Sequence, residues 1–184
     1  MSHYNVAVFS YDPNAFDRLL APYSEEDPMF MCFSPLTEKE RKWYEDYYKE
    51  HKRDIPGSFE EFLTSEGFIV DTLSGKVGRK VNPDAKWDWY TLGGGSWQFE
   101  LKDDHVFDDD GNVRKNDFVY VVDGNWEYPY AFITPDGKWH APGTVGWFAT
   151  SDDTPESREA YLREWIAWIE SDENPYVNFV DCHI

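Results

Sequence analysis

The stretch YNVAVFSY, residues 4–11, alternates along its length and is rich in β-formers, which predicts an N-terminal strand. In the following DPNAFDRLLAPY, Asp12 stands as a helix N-cap and Pro13 at the first helical position. Phe16, Leu19 and Leu20 form its apolar face, and Pro22 ends it. Thr37 with Glu40 makes a capping box before TEKERKWYEDYYKEH, where Trp43, Tyr44, Tyr47 and Tyr48 fall on one helical stripe. Ser58 and Glu61 repeat the box ahead of a short helix carrying Phe59, Phe62 and Leu63, which Gly67 closes.

Alternation returns in KWDWYTL and SWQFEL, which the glycines 93–95 join as a hairpin. DDDGN, 108–112, reads as a turn, FVYVV, 118–122, as a strand, and YAFITPDGKWHAPG as a hairpin around Pro135–Gly137 with Trp139 on its return strand. Thr154 and Pro155 open a helix with Tyr161, Trp165, Trp168 and Ile169 facing inward and Arg158, Glu159, Arg163 and Glu164 facing water. YVNFVDCHI reads as a closing strand. This order predicts the α+β class: one domain over 1–184, an antiparallel sheet with helices on one face, ferredoxin-like in outline, with a helical insertion at 37–66. The alternation places Trp87 and Trp89 together on the face covered by the Tyr161, Trp165 and Ile169 side of this last helix.

Composition supports a packed core, since 41% of the residues are hydrophobic and 18% aromatic. No apolar run is long enough to cross a bilayer, and MSHYNVAVFSYD has no secretory pattern. Cys32 and Cys182 are too few for a disulfide framework and fit small buried groups in a reducing cytoplasm, the expected location. The net charge of −19 changes the picture most. It repels nucleic-acid phosphates and anionic membranes, so neither is an expected partner, and it favours a basic protein.

NPDAKWDWYTLGG followed by Trp97, then GKWHAPGTVGWF, then the terminal VDCHI together resemble a widespread family of phage- and prophage-associated proteins. In that family the centre reads N-x-x-[AS]-K-[WY]-D-W-Y-x-x-G-G-R-W and the end reads V-D-x-H-I. The resemblance implies a shared fold and a mobile-element setting, and it transfers no activity. Where the family has Gly-Gly-Arg-Trp, this chain has Gly93, Gly94, Gly95, Ser96 and Trp97, so an anion-binding or catalytic arginine is missing there.

Candidate chemistry is sparse. Asp88, between Trp87 and Trp89, points to the opposite face together with Lys86 and Tyr90. It reads as a structural carboxylate bonded to Lys86 or to the glycine turn, or as a general base or ligand anchor. Asp181 and His183 share one strand face, an arrangement that orients an imidazole or begins a metal site; the chain end places His183 near solvent. His51, His105 and His140 have no ligand spacing to one another. DDDGN fails as a calcium loop, because Val106 stands where the first oxygen ligand belongs. No nucleophile elbow or phosphate-binding glycine loop is present.

The expectation is therefore a non-enzymatic acidic accessory protein of phage or prophage origin, acting by binding a basic host or phage protein, with inhibition of a defence factor through nucleic-acid mimicry as one form. One alternative is a small nucleotide-like ligand in an aromatic pocket built from Trp97, Trp147, Gly93 and Gly94. The other is a hydrolase-type enzyme using Asp88 or the Asp181/His183 pair. No cofactor or metal is expected.

Overall fold

The structure is a computed structural model and describes residues 2–93, 100–101, 112–119, 128–146 and 150–184. In chain order the elements are β1 (His3–Ser10), α1 (Phe16–Leu20), β2 (Cys32–Pro35), α2 (Glu38–His51), α3 (Phe59–Ser65), β3 (Ile69–Val70), β4 (Val77–Val81) and β5 (Trp89–Leu92). They continue with β6 (Glu100–Leu101), β7 (Val113–Arg114), β8 (Phe118–Val119), β9 (Ala131–Ile133), β10 (Trp139–His140), α4 (Pro155–Ile169) and β11 (Tyr176–His183). The α+β class holds. The chain divides into two compact units, Met1–Glu25 with Asp84–Ile184, and Glu26–Pro83.

In the first unit the main sheet runs β10-β9-β1-β11-β5, and β7 also pairs with β11. β1 and β11 are antiparallel over their full lengths, from His3 opposite His183 to Ser10 opposite Tyr176. β1 and β9 are parallel. The sheet is therefore mixed and not antiparallel throughout, which corrects the antiparallel, ferredoxin-like expectation; β10 joins beyond β9 through its own hairpin, where Gly137 has a positive φ of 85°.

Helices cover both faces, which corrects the one-face expectation. Ala7, Phe9, Phe132, Val177 and Phe179 pack under Tyr161 and Trp165 of α4. Val6, Val8, Ile133, Val180 and Cys182 pack on the other side with Leu20, and with Phe16 and Leu19 of α1. Trp87 and Tyr90 lie on that second side, away from α4. Burying each large side chain such as Phe9 contributes about 1.5–3 kcal/mol. Thr154 as cap and Pro155 start α4 as the sequence predicts, and Ser157 completes a capping box with Thr154. Its C-terminal carbonyls are met by buried Lys115, whose Nζ donates to Trp168 O at 2.9 Å, Ile169 O at 3.0 Å and Ser171 O at 2.9 Å. The cation thus sits at the negative end of the helix dipole. α1 starts later than predicted, because Asp12 spends its oxygens on a turn, accepting from the backbone N–H groups of Asn14 and Ala15.

The second unit is larger than the predicted insertion and adds a three-stranded antiparallel sheet, β2-β4-β3, to α2 and α3. Both capping boxes form. The predicted aromatic stripe on α2 splits: Tyr44 and Tyr48 pack on Phe68 and Phe62, whereas Trp43 is 59% exposed and stacks on the half-exposed Tyr47. Cys32, expected to be buried, is exposed at the start of β2. Among the described residues no helix is long and apolar enough to cross a membrane.

Candidate functional site

On the α4 side of the sheet the apolar core gives way to polar residues at one end. Alternation puts His3 and Asn5 on the face of Ala7 and Phe9, and Asp181 and His183 on the face of Val177 and Phe179. The register then sets His3 opposite His183 and Asn5 opposite Asp181. Two carboxylate–imidazole pairs result. His183 Nδ1 lies 2.7 Å from Asp88 Oδ1, and His3 Nδ1 lies 3.3 Å from both Asp181 oxygens. The two rings meet edge to face with centroids 5.0 Å apart. Trp89 stacks on His183 at 4.6 Å and meets His3 edge-on at 5.6 Å.

Asp88 is fixed from its own backbone as well. Its N–H donates to His183 O at 3.0 Å, and its Oδ1 accepts from Trp89 N–H at 2.7 Å. A carboxylate facing Nδ1 draws the ring proton to that nitrogen and leaves Nε2 as the acceptor. His183 is only 3% exposed, and its Nε2 has no hydrogen-bond partner among the described residues. On the other face of β11, burial pushes the Cys182 thiol well above its ordinary range, with the charges of Asp181 and Asp88 adding to the effect.

Beside this cluster is a cavity of about 260 Å³, reached by His3 and Asn5 from β1. Tyr128, Tyr130, Val145 and Tyr161 supply much of its wall. Tyr161 is held by its hydroxyl, which donates to Pro129 O at 2.5 Å. Tyr130 shares a hydrogen bond with Ser151 at 2.9 Å, and burial raises its phenol. At the rim Arg158 pairs with Asp153, whose carboxyl this guanidinium holds below the usual range. Asn5 is 4% exposed; its Oδ1 accepts from Tyr130 N–H at 2.8 Å, but its Nδ2 has no partner among the described residues.

Of the residues predicted from sequence, Asp88, Asp181 and His183 converge here, and among the described residues Asp88 pairs with His183 and not with Lys86 or Gly93. The reason is that β5 begins only at Trp89, so the assumed alternation does not extend back through Asp88. Trp89 is correspondingly outside the α4 core, 42% exposed over His183. His183, expected near solvent, is buried between Trp89 and His3. Gly93 has a positive φ of 84° and donates to Phe179 O, and it is not among the cavity residues. Gly94, Trp97, Trp147 and His105 lie outside the described residues, as does most of DDDGN. Of SWQFEL only β6 is described, and it pairs with β8. His140 pairs with Glu164 at 2.7 Å, away from the cluster. His3 and Asn5 carry no motif; their signal is only that polar residues occupy one face of a terminal strand otherwise buried.

Among the described residues, no group of three or more His, Cys, Asp or Glu side chains is arranged to hold a metal ion. No protein-family model matches the chain, and no curated protein or solved structure matches it.

Proposed function

We propose that the protein binds a compact, largely apolar small molecule in the cavity beside His3 and Asn5. The observation that carries this reading is the cavity itself, walled by Tyr128, Tyr130, Val145 and Tyr161. The volume of about 260 Å³ is near the lower end of small-molecule sites, so the occupant is small. The tyrosines supply rigid apolar walls with polar edges.

A thermal-shift screen of free nucleobases, nucleosides, monosaccharides and short-chain ketones and esters tests the reading. A ligand at a hundred times its Kd adds about 2.7 kcal/mol to the folded state, or about 5–10 °C in Tm for a chain of this size. The shift should disappear in Thr150→Trp, which fills the cavity from an exposed position. Stabilisation that persists in Thr150→Trp would place the ligand elsewhere.

A second reading, an accessory protein that docks a basic partner, is favoured by the net charge of −19. Its test is a pulldown at low and high salt: a basic partner held at low salt and released at high salt supports it, and recovery of none counts against it.

A further inference from the structure

We infer that the preferred ligand of the cavity is a compact quaternary ammonium compound, a cation whose charge is wrapped in methyl groups. The inference rests on the proposed small-molecule site and deepens it by naming the ligand class. The wall brings phenol rings from both faces of the sheet. Tyr128 and Tyr161 belong to the α4 side, with centroids 6.0 Å apart and planes at 59°. Tyr4 and Tyr130 belong to the α1 side, at 5.4 Å and 68°. Val145 and Pro142 add apolar surface. An aromatic ring carries negative charge on its face. A cation among several such rings therefore gains attraction where a neutral molecule of the same shape gains only burial.

The polar edges of these rings are already committed. Tyr161 donates to Pro129 O, Tyr130 bonds with Ser151 Oγ, and Tyr4 donates to Lys86 O. An ammonium with N–H groups would exchange water for a wall whose phenol oxygens are engaged, and each unmet N–H is costly. A fully methylated nitrogen has no N–H to satisfy. The wall thus selects a quaternary head group over a primary amine.

The surrounding charge has the matching sign. Asp153 on the wall keeps only 7% of its side chain exposed, and Asp181 stands 3.3 Å from His3 Nδ1. Most of the chain's acidic residues lie in the unit that holds the cavity, which keeps fewer than half of the basic ones. The field there attracts cations and repels anions. Arg158 is the one lysine or arginine on the described wall, and its half-exposed guanidinium is tied to Asp153. It offsets one carboxylate and leaves the field negative.

The test is isothermal titration calorimetry of tag-free full-length protein with choline and with 3,3-dimethyl-1-butanol, its neutral carbon isostere. Choline should bind about 10-fold more tightly than the isostere. Ethanolamine, which carries the same hydroxyl on a primary ammonium, should bind about 10-fold more weakly than choline. Tyr128→Leu should reduce choline's advantage over the isostere about 3-fold or more; lost packing alone would weaken both ligands alike. Arg158→Gln removes a cation from the rim, so it should raise choline affinity about 3-fold and leave that of the isostere unchanged. Thr150→Trp should abolish binding of both. Choline that binds no more tightly than its isostere overturns the inference. If the isostere binds in that case and Thr150→Trp abolishes its binding, the small-molecule reading stands alone. If neither ligand binds, the inference falls, and the thermal-shift screen decides the small-molecule reading separately. Choline binding that survives in Thr150→Trp places the cation on the acidic surface and also overturns the inference.

Discussion

Replacing Asp88 with Ala isolates the contact that organises one side of the cluster. The substitution removes a carboxylate oxygen that lies 2.7 Å from His183 Nδ1 and also accepts from Trp89 N–H. A hydrogen bond to a charged group contributes about 1.5–3 kcal/mol. Asp88 keeps 32% of its side chain exposed, so water replaces part of the loss, and we expect a destabilisation of about 1–2.5 kcal/mol. For a chain of this size that is about 2–10 °C in Tm. His183 would then have neither ring nitrogen bonded while remaining buried, so the effect belongs to the pair. In a His183→Leu background the same Asp88→Ala change should cost at least 1 kcal/mol less, the coupling expected of residues in contact. Asp54→Asn, an exposed acid in the other unit, controls for the relief of net negative charge and should leave stability within about 0.5 kcal/mol. Urea unfolding of the four variants of the cycle gives the coupling. An Asp88→Ala cost that is the same with and without His183 would refute the pairing.

Lys115→Met should destabilise by about 3 kcal/mol or more, because three carbonyls at the end of α4 lose a buried donor; urea unfolding reads it, and a change under 1 kcal/mol would contradict the capping role. Gly78→Ala should weaken the second unit by about 1–3 kcal/mol, since a Cβ there meets the Ser34 carbonyl oxygen and lies 2.6 Å from the Phe33 ring; faster hydrogen exchange confined to 26–83 is the expected signature. Iodoacetamide at pH 8 should modify Cys32 on the folded protein and leave Cys182 intact, because Cys182 is buried and its thiol pushed up; mass spectrometry should find the second label only in denaturant.

The elements most legible in the sequence are those set by local chemistry. The Thr37 and Ser58 boxes, the Thr154 cap, the Pro135–Gly137 turn and the periodicity of α4 depend on residues a few positions apart, and all appear as predicted. The two-sided cover is missed when YNVAVFSY is read as alternating, although its run VAVF is apolar at every position, as suits a strand covered on both faces. The alternating template misleads around Trp87 and Trp89 because the strand begins only at Trp89, and the preceding turn sends Trp87 to the α1 side. The site was half visible. Asp181 and His183 announce themselves by spacing, and Asp88 by its position among aromatics. Their pairing depends on the register of strands nearly a hundred positions apart, and His3 and Asn5 acquire meaning only when the chain ends pair as β1 and β11.

The most direct measurement follows the Val145 methyl groups on the cavity wall by NMR while 2-pentanone, an unreactive carbonyl compound, is titrated into the protein. The account predicts a saturable shift of these methyl resonances that Thr150→Trp abolishes. Val145 resonances that stay in place throughout the titration would contradict it.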